Sequence, residues 1–305
     1  MTVNNSNNGP EFFCVGAAKS GTSALQYVLR QHPGIFMPEM KEIHHFAPDL
    51  LKKDDPWLDQ QKYLSLYSDA KEHQVIGETS VFYLLSKEAA RLIKKNHPHA
   101  SVIIMIRNPI EIMYSLHSQL VYNGEENILD FEKAVIAEED RKTGKYLPKR
   151  TRINKKHWYF HVVQFTEQIF RFMKYFDQDQ LHFILYDDFK KDTLSEVQKV
   201  YDFLGVDGSF IPEIKQVNTN KKIRSRTFQK IQYQAINNLL PKLLSKNNLI
   251  RLNTNLLNLN TKYFERQPLD KVLENKLKKM LKPEIDKLSE FFDQDLSHWH
   301  KPNEL

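Results

Sequence analysis

The chain of 305 residues contains a single cysteine, Cys14. No internal disulfide can form, and the composition fits a reducing compartment, the cytoplasm. No apolar run approaches the roughly 18 residues that a membrane span needs. The longest, Val81–Leu85 and Val102–Ile106, are only strand-sized. Residues Met1–Pro10 are polar and rich in Asn, without the basic start and apolar middle of a signal peptide. They read as a disordered lead to one domain over residues 11–305. No Pro/Gly-rich linker and no internal repeat divides that domain. Cys14 has no cysteine partner and the acids lack ligand spacing, so no metal site is expected.

What is present is ordinary for a globular chain: 41% hydrophobic, 27% charged, with 11% aromatics suited to a filled core and a lined pocket. The net charge of +6 points to nucleic acid, a membrane surface or small anions as partners. The pattern along the chain has to decide. Glu11–Gly16 reads as a buried strand, 16–21 as a turn-rich loop, and Thr22–Gln31 as a helix ended by His32-Pro33-Gly34. Short strands follow at Ile35–Met37 and Val75–Ile76, a helix at Glu88–Asn96, a strand at Ser101–Ile106 and a helix through Gln119. The spacing then predicts one amphipathic helix over His161–Tyr175, a strand at Leu181–Tyr186 and a helix at Leu194–Leu204. Beyond Asn218 the chain reads as mostly helical with Asn-rich breaks, such as Asn253–Asn260. Strands alternating with helices predict an α/β fold: a single domain with a central parallel sheet flanked by helices, a P-loop-like strand–loop–helix, and a helical carboxy-terminal part.

The strand–loop–helix opening carries chemistry. In Gly16-Ala17-Ala18-Lys19-Ser20-Gly21-Thr22-Ser23 the glycines let backbone approach a ligand. Lys19 supplies charge, and Ser20, Thr22 and Ser23 supply hydroxyls. The unpaired N–H groups and dipole of a helix start complete a phosphate cradle. A Walker loop needs Lys directly after the second glycine; here Thr22 follows Gly21, which disfavours a nucleotide triphosphatase. A second anion site is predicted at Arg107-Asn108-Pro109. An Arg at the carboxyl end of a strand lies where open α/β sheets bind ligands, and its guanidinium matches phosphate. The bland alternative for Arg107 is a surface salt bridge.

These stretches resemble the PAPS-dependent sulfotransferases. The first is similar to the family's loop for the 5'-phosphosulfate of 3'-phosphoadenosine 5'-phosphosulfate (PAPS). The second is similar to its 3'-phosphate motif, with Arg107 and Ser115 at the marked positions. The basic stretch Asn218–Arg226, with Lys222, Arg224 and Arg226, is similar to the loop that closes over the adenosine and 3' phosphate, or else is a solvated basic face. Asp295-Leu-Ser-His-Trp299 resembles the tail of bacterial members. Lys41-Glu42-Ile43-His44-His45-Phe46 resembles the segment in which glycan-type members place a general base. That implies Glu42, whereas small-molecule members use His, which keeps His44 and His45 open. Gly77-Glu78-Thr79-Ser80 resembles an acceptor-side segment. Glu78 there orients Lys19 or the acceptor, or forms a turn ion pair, and Thr79 stands where some members carry Lys.

The resemblance implies metal-free, in-line transfer of a sulfuryl group to a hydroxyl or amine of a small metabolite or glycan, leaving 3'-phosphoadenosine 5'-phosphate (PAP). Lys19 would stabilise the developing charge and Glu42 or His45 would take the proton. A nucleotide kinase and a basic nucleic-acid-binding protein are the competing readings, although no nucleic-acid module is recognisable. Arg141–Lys156 carries eight bases and no acid. It is expected to be a solvated loop or a lid that attracts an anion.

Overall fold

The computed structural model describes residues 9–149, 151–215, 221–236, 240, 245–263 and 267–301. Five strands form one parallel sheet: β1 (Phe12–Gly16), β2 (Ile35–Phe36), β3 (Val75–Thr79), β4 (Ser101–Ile106) and β5 (Leu181–Leu185). Their spatial order is β2-β3-β1-β4-β5. Successive strand side chains point to opposite faces. Phe13 and Val15 of β1 join Val102, Ile104 and Ile106 of β4 in one core. Phe12 and Cys14 join Ile103 and Met105 in the other. Both faces are covered, which is why these strands are apolar without alternation.

The Phe12 face is covered by α1 (Thr22–Leu29) and α5 (Thr193–Leu204). The other face takes α2 (Ala89–Asn96), α3 (Pro109–Asn123), α4 (Phe165–Met173) and α6 (Lys271–Phe292). The single parallel-sheet domain with a helical carboxy-terminal part is therefore as the sequence predicts. The start and stop of α3 are written in sequence. Asn108 accepts from the Ile110 N–H, Pro109 occupies the first position, and Gly124 ends the helix at φ 72°.

Three local expectations change. The helix expected over His161–Tyr175 is two, Tyr159–Val162 and α4. Gln168 Nε2 donates to the carbonyls of His161 and Val162, and Glu284 accepts from Thr166 N and Oγ1. Tertiary partners thus satisfy the ends that a break exposes. Asn253–Asn260 is not a break, because Lys246–Leu259 is one helix that ends at Asn260. The basic stretch before Arg226 is not simply a loop. Its residues 218–220 lie outside the described residues, but β6 (Lys221–Ile223) pairs antiparallel with β7 (Thr261–Tyr263). That partner strand is too far along the chain for local pattern to reveal.

The carboxy-terminal tail packs beneath the ends of β4 and β5. Trp299 is 1% exposed; its Nε1 donates to Asp187 (2.7 Å), and its carbonyl accepts from Asn108 Nδ2 (3.5 Å). Trp299→Ala should lower the unfolding free energy by about 3–5 kcal/mol, read from the midpoint of urea denaturation.

Candidate functional site

Beyond β1 the chain turns through residues 17–21 into α1. Ala17 N donates to the Met105 carbonyl (2.5 Å), tying the loop to β4. Ser20 is fully buried and its hydroxyl donates to the Ala17 carbonyl (2.6 Å), so it shapes the loop. Lys19 and Gly21 are left-handed, at φ 65° and 101°. A Cβ on Gly21 would come within 2.9 Å of Met105 Cε and of the Tyr186 ring, so conformation and space both require glycine. The amino end of α1, with Thr22 buried and Ser23 half-buried, has no side-chain cap and no acid in its first turn. Its first N–H groups and dipole therefore favour an anion.

Three cations surround this end. Lys19 Nζ donates to Gln119 Oε1 (3.2 Å). Lys41 Nζ donates to Ser23 Oγ in the first turn of α1. Arg107, at the end of β4, donates from Nη1 to the Lys19 carbonyl (3.4 Å) and lies 4.4 Å over the Tyr186 ring. Its Nε also donates to Glu111 (2.6 Å), so the salt-bridge alternative for Arg107 is present together with the contact to the loop. Ser115 is buried on α3, one turn before Gln119 and on the same face.

Beside the loop runs the turn of Glu42. Its N–H donates to the Thr79 carbonyl (2.9 Å), and its carboxylate, one-third exposed, accepts from Val81 N (3.2 Å) and pairs with His44 Nε2 (3.1 Å). Burial pushes the Glu42 pKa up, but the hydrogen bond and charge of His44, with Lys41 and the Val81 N–H, outweigh it and leave it below the usual carboxylate range. The carboxylate is therefore ionised near neutral pH. Glu42 and His44 are both left-handed, at φ 62° and 61°. Each such residue costs about 1–2 kcal/mol, and strain of this kind clusters at working sites. His45 faces elsewhere: its Nδ1 donates to the Trp57 carbonyl (2.7 Å) and its ring stacks on Tyr63 at 4.1 Å. His44, rather than His45, is the histidine in contact with Glu42.

Residues 10–251 match the family model described as the sulfotransferase domain. The chain belongs to that family. The match favours the sulfotransferase class over the kinase and nucleic-acid readings. Among curated relatives, mouse heparan sulfate glucosamine 3-O-sulfotransferase 5 is 26% identical over 213 residues, 68% of this chain and 56% of that protein. The membrane-associated sulfotransferase kil1 of Dictyostelium discoideum is 30% identical over 102 residues, 33% of this chain and 21% of that one. The chain thus spans little more than half the length of the first relative and much less of the second. A crystal structure of a sulfotransferase from Alicyclobacillus acidocaldarius has a TM-score of 0.71 and 26% identity, covering 96% of this chain and 99% of that one.

Within this sulfotransferase domain several residues matter that motif reading passed over. Lys41 stood next to Glu42 in the quoted segment, and Gln119 lies one turn past Ser115. Tyr186 carried no signal of its own, and Arg152 stood only as one of the bases of 141–156. Arg224 and Arg226 are exposed; Arg224 Nε donates to the Thr261 carbonyl (3.1 Å). Lys222 lies in β6, but its side chain is outside the described residues. The paired strands β6 and β7 lean on the end of α3, where Tyr122 OH meets Thr261 Oγ1 at 2.8 Å.

Two expectations are corrected. Among the described residues Glu78 forms no turn ion pair, and its partners are hydroxyls rather than Lys19. It is fully buried among the hydroxyls of Tyr63, Ser80 and Tyr83, and burial raises its pKa. The basic segment 141–156 is not a free lid: Arg141 pairs with Glu126, Arg152 with Asp55, Lys155 with Asp49 and Lys156 with Glu125. Arg150 lies outside the described residues. Among the described residues, no group of three His, Cys, Asp or Glu stands where it could hold a metal, and no helix is long and apolar enough to cross a membrane.

The hydrogen bond from Arg152 holds Asp55 below the usual aspartate range. Its folded pKa is depressed, so the stabilisation is present above the unfolded value of about 4 and is lost as pH falls through the folded value. Asp55→Asn should therefore destabilise the protein at pH 7, with the difference from wild type shrinking towards pH 3 in urea unfolding.

Proposed function

We propose that this chain transfers a sulfuryl group from PAPS to a hydroxyl, or an amine, of a glycan or small metabolite in the cytoplasm. The observation that carries the reading is the convergence of Lys19, Lys41 and Arg107 on the uncapped amino end of α1, with an ionised carboxylate, Glu42, next to Lys41 in the chain. The donor is a dianionic phosphosulfate at one end and a phosphate at the other. The start of α1, with Thr22, Ser23, Lys19 and Lys41, suits the first. Arg107 and Ser115 suit the second, and Lys222, Arg224 and Arg226 are the candidates to close over it.

The acceptor oxygen attacks sulfur and the bond from sulfur to the 5'-phosphate oxygen breaks, releasing PAP. The acceptor proton passes to Glu42, whose ionised state and contact with His44 fit that role. Negative charge grows on the transferring oxygens and the departing phosphate, where Lys19, Lys41 and the N–H groups of α1 are already oriented. The names of the curated relatives favour an alcohol on a glycan.

Calorimetry with PAP should show saturable binding, and Arg107→Ala should weaken it by about 10–100-fold, the worth of a charge-assisted hydrogen bond. Preference for ATP, or no binding of PAP by the wild type, would overturn the reading. With an acceptor found by mass-spectrometric screening of desulfated oligosaccharides and phenols, Glu42→Gln should lower kcat by about 10²–10⁴-fold and Lys19→Ala by about 10²–10³-fold. Wild-type turnover in Glu42→Gln would remove Glu42 from the mechanism.

A further inference from the structure

The strained turn that carries Glu42 is gripped by two sets of side chains. On the core side stands Glu78, which is fully buried. Its Oε1 accepts from Ser80 Oγ (2.6 Å) and Tyr83 OH (2.8 Å), and its Oε2 accepts from Tyr63 OH (2.6 Å). A hydroxyl has one proton to give. Giving it to Glu78 turns the oxygen lone pairs of Ser80 and Tyr83 outward. There Ser80 Oγ accepts from His44 N (3.0 Å) and Tyr83 OH accepts from Phe46 N (3.3 Å). The third hydroxyl belongs to Tyr63, whose ring stacks on His45 at 4.1 Å and 6°. All three donors to Glu78 thus each hold one residue of 44–46.

On the opposite side, Arg152 donates to the carbonyls of Glu42 (2.8 Å) and Ile43 (2.7 Å). Asp55 fixes the guanidinium in a bidentate pair at 2.6 and 2.9 Å. Left-handed residues at 42 and 44 persist only where surrounding structure over-determines them, and these two anchors supply the contacts.

Resting on the reading of Glu42 as the base, we propose that Glu78 and the Arg152–Asp55 pair are positioning residues, which hold the 42–46 turn in the conformation that presents the Glu42 carboxylate to the acceptor. Glu78 acts through the hydroxyls of Ser80 and Tyr83, and Arg152 acts through two carbonyls. A displaced carboxylate still leaves the N–H groups of α1, Lys19 and Arg107 in place, so the anchors govern rate more than donor binding.

The test uses the full chain with Glu78→Gln and, separately, the double variant Arg152→Ala/Asp55→Asn, which leaves no unpaired carboxylate. Amide hydrogen exchange, PAP calorimetry and conversion of PAPS to PAP are measured on each. We expect exchange over residues 42–46 to quicken by at least about ten-fold while β1 and β4 stay protected. PAP affinity should stay within about two-fold, and turnover should fall by about 10–100-fold, the penalty of a misplaced group. Should Glu78→Gln lose protection throughout, the double variant, altered on the outer side of the turn, decides. Unchanged exchange in the turn overturns the proposal, and so does PAP affinity that falls in step with turnover, since that is the mark of a general structural role. A wild type that binds no PAP would defeat the sulfotransferase reading instead, and the exchange measurement would still judge the two anchors.

Discussion

The unpaired amino end of one eight-residue helix, α1, organises the site. Backbone N–H groups at a helix start have no partner within the helix, and here no side chain caps them. The strand before them, β1, lies between β3 and β4 in a sheet whose strands all run the same way. Every strand therefore delivers its following residue to the same edge. β4 delivers Arg107, and β3 ends at Thr79, whose carbonyl holds Glu42. Helix α3, which starts just after Arg107, carries Ser115 and Gln119 back towards the loop.

Positive charge in this chain has two distinct employments. Around α1, Lys19, Lys41 and Arg107 gather at the uncapped amino end of the helix, where Arg107 also pairs with the exposed Glu111. In the segment 141–156 the same residue types meet acids from distant parts of the chain and lock the segment in place. Arg141 and Glu126 have fully buried side chains, and Tyr159 OH donates to the same Glu126 (2.7 Å). Removing one partner of such a pair would leave an uncompensated buried charge, so this density of bases is built into the fold.

Acidic groups divide the same way. Glu42, part-exposed beside His44, stays ionised and can accept a proton. Glu78 is ringed by hydroxyls in the core, where its carboxyl pKa is raised by burial. Two glutamates near one sheet edge thus differ in charge state through their surroundings, Glu42 part-exposed beside His44 and Glu78 enclosed in the core.

The strand–loop–helix at residues 12–29, the strand ending in Arg107 and the capped start of α3 were legible because each depends on neighbours in sequence. An apolar run buried on both faces, glycine at a left-handed position and Asn-Pro at a helix start are local rules of sterics and hydrogen bonding. Those rules gave the fold class and drew attention to Lys19 and Arg107, and the family resemblance added Ser115 and Glu42. They could not show that helix 161–175 breaks, because Gln168 and Glu284 satisfy the break. Nor could they show that Lys221–Ile223 finds a strand partner at Thr261–Tyr263, or that Arg152 reaches the Glu42 turn across 110 residues. Sequence alone determined which residues could bind an anion or take a proton. Tertiary structure decided which acids neutralise which bases and which cations gather at α1, because charge pairing depends on distance in space and not along the chain.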